Sequence, residues 1–242
     1  KLLSLMAGAL AVRLFYCWSH PMETRDGIGY IQFTQRWFEE GTAALPAFLQ
    51  TQPPLFCYLS RALMFTGLSA EAATRLVNLS AGTLLLIPVY FAGKLLFNDK
   101  RAGLWLGALS AVMPTLVKYS CERLREGLYF FFAFWVICFW LHAVKQSRPM
   151  QNAFLCGLCA VLSLLCRYEA LELLVFCGIG LPAAIFFPDR AWKNALKAGF
   201  VFVLGALLGV AVIRLLPGMP DILTIFVNRI WSQCLGTSIN PV

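Results

Sequence analysis

Charge is what this sequence has least of. Only 13% of its 242 residues are charged, about half the share found in ordinary soluble domains, so most of the chain has no solvated surface to offer. Long polar stretches are missing too. Hydrophobic residues make up 60% of the chain, mean hydropathy is +0.72, and apolar segments recur along nearly the whole length. A secretory leader on a soluble protein would supply a single short stretch. Histidine is scarce, and neither His20 nor His142 has a ligand partner at suitable spacing. Cys156 and Cys159 form a C-x-x-C, but no second pair or histidine pair follows at zinc spacing. There is no D-x-D in the first long loop and no internal repeat of the kind transporters often carry. With no initiator Met and no obvious tail, the chain reads as the N-terminal part of a longer protein, trimmed at both ends.

What is present is a series of runs near the length a helix needs to cross the hydrocarbon, about 20 residues. They are Leu2 to Ser19, Leu76 to Phe97, Gly103 to Val117, Leu128 to Val144, Ala153 to Leu165, Leu171 to Phe187 and Ala198 to Leu216. The expected fold is all-α: a polytopic transmembrane helix bundle of about seven spans, forming one domain over residues 1–242. Only Cys166 to Ala170 separate the fifth and sixth runs, so residues 151–187 fit either a tight re-entry of two spans or one bent helix. Most of the nine cysteines, including Cys138, Cys156, Cys159 and Cys177, fall in spans as small apolar packers. Cys57 and Cys121 lie outside them and could bridge in an oxidising compartment, though nothing in the sequence brings them together.

Cations set the orientation. With the N-terminus inside, the inner loops hold nine, namely Lys1, Lys94, Lys100, Arg101, Lys145, Arg148, Arg190, Lys193 and Lys197, against Asp99 and Asp189. That satisfies the positive-inside rule. The outer side holds the remaining ten acids and eleven cations, so the net +8 is mostly a topology signal and not a nucleic-acid footprint. Ten of those outer cations are arginines and Lys118 is the one lysine. Arginine grips phosphate bidentately and stays charged near lipid, although snorkelling to headgroups or pairing with outer acids explains a single arginine as well.

The first outer loop, residues 20–75, is too polar to cross and too apolar to float. Within it Gly27 to Glu40 reads as an interfacial helix, with Tyr30, Ile31, Phe33, Trp37 and Phe38 on one arc, Gln32, Gln35, Arg36, Glu39 and Glu40 on the other, and Ile28 straying. Such a helix is expected to lie in the membrane plane. Asp26 immediately precedes it, where capping is the plain structural role. Pro53 and Pro54 break the backbone after Gln52, before a second surface helix over Leu55 to Phe65.

The ordered stretches RDGIGYIQFTQRWFEEG, QPPLFCYLSRALMFTG, TRLVNLSAGTLLLIPVYFAGKLLF and RAGLWLGALSAVMPTLVKYSCERLREGLYFFFAFW, with a weaker continuation through CRYEALELL, resemble the N-terminal half of the GT-C glycosyltransferases. The likeness is to the branch of dolichyl-phosphate-mannose protein mannosyltransferases and aminoarabinose transferases. It implies transfer of a sugar from a polyprenyl-phosphate donor to a protein, lipid or glycan on the outer or lumenal face. The membrane would be the plasma or inner membrane in a bacterium and the endoplasmic reticulum in a eukaryote. By resemblance the acid of the first outer loop is Asp26, the acid opening the fourth span is Glu126, and Tyr30 matches the tyrosine after the first acid. The chain departs from several relatives in having Asp26-Gly27 where they pair Asp with Glu, Gly29 where they carry arginine, and Gln52-Pro53 where some place a basic residue. Those departures leave donor and acceptor open.

If the two loops meet, Asp26 can take the proton of an acceptor hydroxyl as it attacks the anomeric carbon, inverting that centre. The leaving phosphate is already a stable anion, so cations suit it better than a general acid. Lys118, Arg123 and Arg125, which surround Glu122 and Glu126, are candidates, as is Arg167, with Glu169 orienting the arginine. The bland alternative for KYSCERLRE is a helix start with i,i+3 and i,i+4 ion pairs, such as Glu122 with Arg125. Two facing acids could also hold Mg²⁺ or Mn²⁺, but the missing D-x-D speaks against an obligatory metal. Asn78-Leu79-Ser80 fits a glycosylation acceptor yet falls within a span. The competing readings are a transporter or lipid flippase, whose charges would sit mid-span, and a catalytically inactive relative acting as a subunit.

Overall fold

A computed structural model describes residues 1–20, 24–41, 53–145, 148–183 and 192–214. Gln52, the inner-loop pair Asp189 and Arg190, and Asp221 and Arg229 of the tail lie outside the described residues. Every regular element among those described is helical. In chain order they are α1 (Leu2–Ser19), α2 (Arg25–Glu40), α3 (Leu55–Met64), α4 (Ala70–Leu84), α5 (Leu86–Phe97), α6 (Lys100–Val112), α7 (Pro114–Cys121), α8 (Glu126–Val144), α9 (Pro149–Leu164), a 3-10 turn (Tyr168–Ala170), α10 (Leu171–Ala183) and α11 (Trp192–Arg214).

Local chemistry sets the boundaries. Side-chain caps open three helices: the Thr24 hydroxyl accepts from the Gly27 N–H at 3.2 Å, Ser69 from Ala72 at 3.2 Å, and the Asp99 carboxylate from Arg101 at 2.9 Å. Pro114 and Pro149 each stand in a first turn, where a missing N–H costs nothing. The Thr24 cap corrects one expectation. Asp26 does not precede α2; it is the second residue inside it, still in the first turn where the helix dipole favours a carboxylate.

Leu2–Ser19, Ala70–Phe97 and Glu126–Val144 are long and apolar enough to cross a membrane, the second being α4 and α5 run together across Leu85. The other four predicted runs coincide with helices that are short, broken or described only in part. Gly103 to Val117 breaks at Met113, and Pro149–Leu164 and Leu196–Val212 are shorter apolar helices. Leu171 to Phe187 is described as far as Ala183. Residues 151–183 are two helices, because Cys166 and Arg167 leave helical geometry and the 3-10 turn reverses the chain into α10. α9 also lies backbone to backbone against α11. A Cβ on Gly157 would overlap the Phe202 carbonyl, and one on Gly205 the Phe154 carbonyl, so glycine is what permits this approach.

One core gathers α2, α3 and the ends of the helices beside them. Tyr30, Phe33 and Trp37 of α2 pack with Leu55, Phe56 and Cys57 of α3, Val77 and Ala81 of α4, Leu128 of α8, and Val161 and Leu165 at the end of α9. The α2 arc that amphipathicity alone would give to lipid is therefore buried against protein, with Trp37 fully enclosed. Arg61 locks this arrangement, its Nε donating to the Trp37 carbonyl at 3.2 Å while the guanidinium lies over the Trp37 and Phe65 rings. The Leu55 N–H donates to the Leu165 carbonyl at 3.2 Å, tying the start of α3 to the turn after α9.

Candidate functional site

α8 begins at Glu126, and the link before it is held from the side. Asn78 is fully buried on α4, and its Nδ2 donates to the backbone carbonyls of Glu122, at 2.6 Å, and Leu124. Burial rules out the glycosylation reading. Next to this clasp, a Cβ on Gly127 would stand 2.8 Å from both Asn78 Oδ1 and the Tyr119 carbonyl, so the chain enters α8 through a gap that fits only glycine. The buried arginine of α1 fixes the segment from behind. Arg13 donates through Nε to Ser120 Oγ at 2.9 Å and through Nη1 to the Ala9 and Ala111 carbonyls.

Glu126 is brought to a site of mixed charge. Its Oε1 lies 4.0 Å from Arg125 Nε and 3.7 Å from Arg167 Nη1, while Oε2 is buried with no hydrogen-bond partner among the described residues. Both contacts are longer than hydrogen bonds. Arg167 also donates through Nε to Glu169 Oε2 at 3.3 Å and lies over the Tyr129 ring. Burial alone would raise the Glu169 pKa; its backbone hydrogen bond and the Arg167 contact outweigh that and hold it below the usual carboxylate range. For Arg167 burial acts downward, yet Glu169 and Glu126 together push its pKa above the ordinary value. The turn therefore presents a charged guanidinium shared between two carboxylates.

Tyr30 connects this cluster to the first loop. Its ring is 6% exposed and sits edge-on to Phe56. Burial pushes the phenol pKa up, Arg125 pulls it back, and Cys57, Glu126 and Asp26 each add to the rise. Glu126 and Asp26 are the two smallest of these influences. Asp26 itself is exposed on the first turn of α2.

The remaining candidates lie elsewhere. Lys118 is 54% exposed and pairs with Glu122 at 3.8 Å along one helical turn. Arg123 turns to α4, where its Nη2 meets Glu71 Oε1 at 2.7 Å. Of the cations in KYSCERLRE, Arg125 is the one placed beside Glu126. Cys57 and Cys121 are free thiols in separate cores, and Cys121 donates to the Arg13 carbonyl. Cys156 is buried among α8, α9 and α10 residues. Sequence reasoning missed the roles of Asn78, Gly127 and Glu71. A polar Asn in the middle of an apolar helix was the available signal for the first.

A family model described as Dolichyl-phosphate-mannose-protein mannosyltransferase matches residues 51–216, more than half of the chain. The match includes Arg125, Glu126, Arg167 and Glu169 and begins after Asp26 and Tyr30. No curated protein matches the chain.

Proposed function

The chain belongs to the dolichyl-phosphate-mannose-protein mannosyltransferase family and is a membrane glycosyltransferase of the GT-C type; we propose that it moves a sugar from a polyprenyl-phosphate donor to an acceptor hydroxyl on the outer or lumenal face, with inversion. The reaction centre is the space bounded by Asp26, Tyr30, Arg125, Glu126 and Arg167. The observation that carries this reading is the Glu126 carboxylate at the start of α8 flanked by two guanidiniums, Arg125 at 4.0 Å and Arg167 at 3.7 Å.

In the proposed step Asp26 takes the proton of the acceptor hydroxyl, whose oxygen forms the new bond to the anomeric carbon. The bond from that carbon to the donor phosphate oxygen breaks, and polyprenyl phosphate leaves with the electron pair. Arg125 and Arg167 stabilise the charge growing on that phosphate. Their loose approach to Glu126 supports the assignment, because a phosphate can replace a carboxylate contact of 3.7 to 4.0 Å without breaking a tight hydrogen bond. Glu126 keeps both guanidiniums aimed at the site before the donor arrives. Tyr30, with its raised pKa, stays a neutral phenol able to donate to sugar or phosphate. Seven spans, with the N-terminus inside, complete the proposal and put these residues on the outer face.

Single replacements Asp26→Asn and Glu126→Gln, assayed for sugar transfer from a polyprenyl-phosphate donor in membranes, test it. Loss of transfer at normal protein levels is expected. Unaltered transfer in both would remove the site, and the same membranes assayed with and without a divalent-metal chelator decide whether Mg²⁺ or Mn²⁺ takes part.

A further inference from the structure

The link that carries Glu126 also walls a pocket, on the face of α4 turned away from the Tyr30 core. This cavity of about 440 Å³ lies between the first turns of α4 and the Arg123 side chain. Along one face of α4 its lining changes character. Glu71, Arg75 and Leu79 follow at intervals of four, with Leu76 beside them, so the wall passes from charged to apolar over about 12 Å at 1.5 Å per residue. Val77 and Ala81, on the other side of the helix, belong to the core around Tyr30. The body of α4 therefore separates the pocket from that core.

Three facts define what would fit. The lining carries two guanidiniums, Arg75 and Arg123, and a single carboxylate, Glu71, which leaves it net positive. Arg123 is 2% exposed while Glu71 is 63% exposed, so the cation is fixed in the protein and its carboxylate partner is the movable one. Below the charges, Leu76 is 45% exposed and continues the wall as bare apolar surface. A small soluble anion would use the guanidiniums and leave the leucines idle. A phosphate carried on an acyl chain would use both.

We infer that this pocket binds the phosphate of an anionic amphiphile, with Arg75 on the phosphate, the buried Arg123 adding its positive charge behind the Glu71 pair, and the chain lying along Leu76. The site stands apart from the transfer centre and does not depend on that reading.

Calorimetric titration of the whole chain in a neutral detergent tests it, with dioctanoyl phosphatidic acid, dioctanoylglycerol and inorganic phosphate as probes. The phosphatidic acid should bind saturably, and dioctanoylglycerol, which lacks the phosphate, should not compete. Arg75→Gln and Leu76→Glu should each weaken binding about tenfold or more, the loss expected for a charged hydrogen bond. Leu76→Glu touches no ion pair, so it stands as the test if Arg75→Gln fails to fold. Arg101→Gln, an exposed cation elsewhere, and Arg167→Gln, at the transfer centre, should leave binding unchanged. Inorganic phosphate binding as tightly as the lipid would support the phosphate site and assign it to a free anion, whereas tenfold tighter lipid binding supports the amphiphile. The inference is overturned if wild-type protein does not bind the lipid, or if Arg75→Gln and Leu76→Glu bind no more weakly than Arg101→Gln. It is overturned equally if Arg167→Gln abolishes binding, since the phosphate then belongs to the Glu126 cluster.

Discussion

On one flank of the 118–126 segment Arg123 meets Glu71 at 2.7 Å, buried at the arginine end. On the other, Arg125 and Arg167 approach Glu126 only to 4.0 and 3.7 Å, and one Glu126 oxygen is left without a hydrogen bond among the described residues. The two flanks use the same residue types, and their segment residues Arg123, Arg125 and Glu126 lie within four positions, yet one is a closed contact and the other a looser cluster. Closed pairs hold structure, because breaking a buried pair leaves an uncompensated charge. Open clusters leave charge available for a ligand, and they are where perturbed titration gathers, here at Tyr30, Arg167 and Glu169.

The contrast can be broken most directly at the open flank. Asp26→Asn should lower transfer by about 10²- to 10⁴-fold, the range for losing a general base, with unchanged thermal unfolding in detergent; an unfolding shift with modest activity loss would return Asp26 to a helix-dipole role. Arg167→Gln should cost about 10²- to 10³-fold in kcat, as loss of one charge-stabilising donor does, while Arg123→Gln should chiefly lower the unfolding midpoint. Equal activity losses in the two would erase the distinction between flanks.

Smaller effects sharpen it. Gly127→Ala forces a methyl against Asn78 and the Tyr119 carbonyl, and the expected loss is about 1–3 kcal/mol of stability, the overpacking range, with a raised KM because Glu126 moves with the link. Asn78→Ala leaves the Glu122 and Leu124 carbonyls without their donor, an expected cost of about 1–3 kcal/mol in denaturant unfolding. Smallest is Glu169. Its pKa is depressed, so its contact with Arg167 is complete above the ordinary carboxylate value and disappears only as pH falls through the lowered one. Glu169→Gln should cut transfer a fewfold at neutral pH and remove an acid-side carboxylate titration visible by infrared difference spectroscopy.

Much of the fold was legible because its causes are local. The runs that become α1, α5 and α8 are apolar enough to be read directly, and the break at Pro53-Pro54 stands where α3 begins. The cap of α2 is Thr24 and not Asp26, because a hydroxyl two residues earlier accepts the same kind of free N–H. The α2 arc was read correctly as apolar, but periodicity does not say whether lipid or protein covers it, and α3 does. In KYSCERLRE the charges were all candidates for one phosphate, since spacing alone does not tell which way a link between two helices turns each side chain. Asn78 decided that, from forty-four residues upstream.

By itself, then, the sequence determined that this is a helical membrane protein built on apolar runs, because hydropathy acts residue by residue. Tertiary structure alone decided which acid meets which arginine. Separating Arg123 from Arg125, and placing Tyr30 in one core with α3, α4 and α8, depends on a buried amide, a glycine gap and shared aromatic packing, whose partners are distant in the chain and meet only when the helices pack.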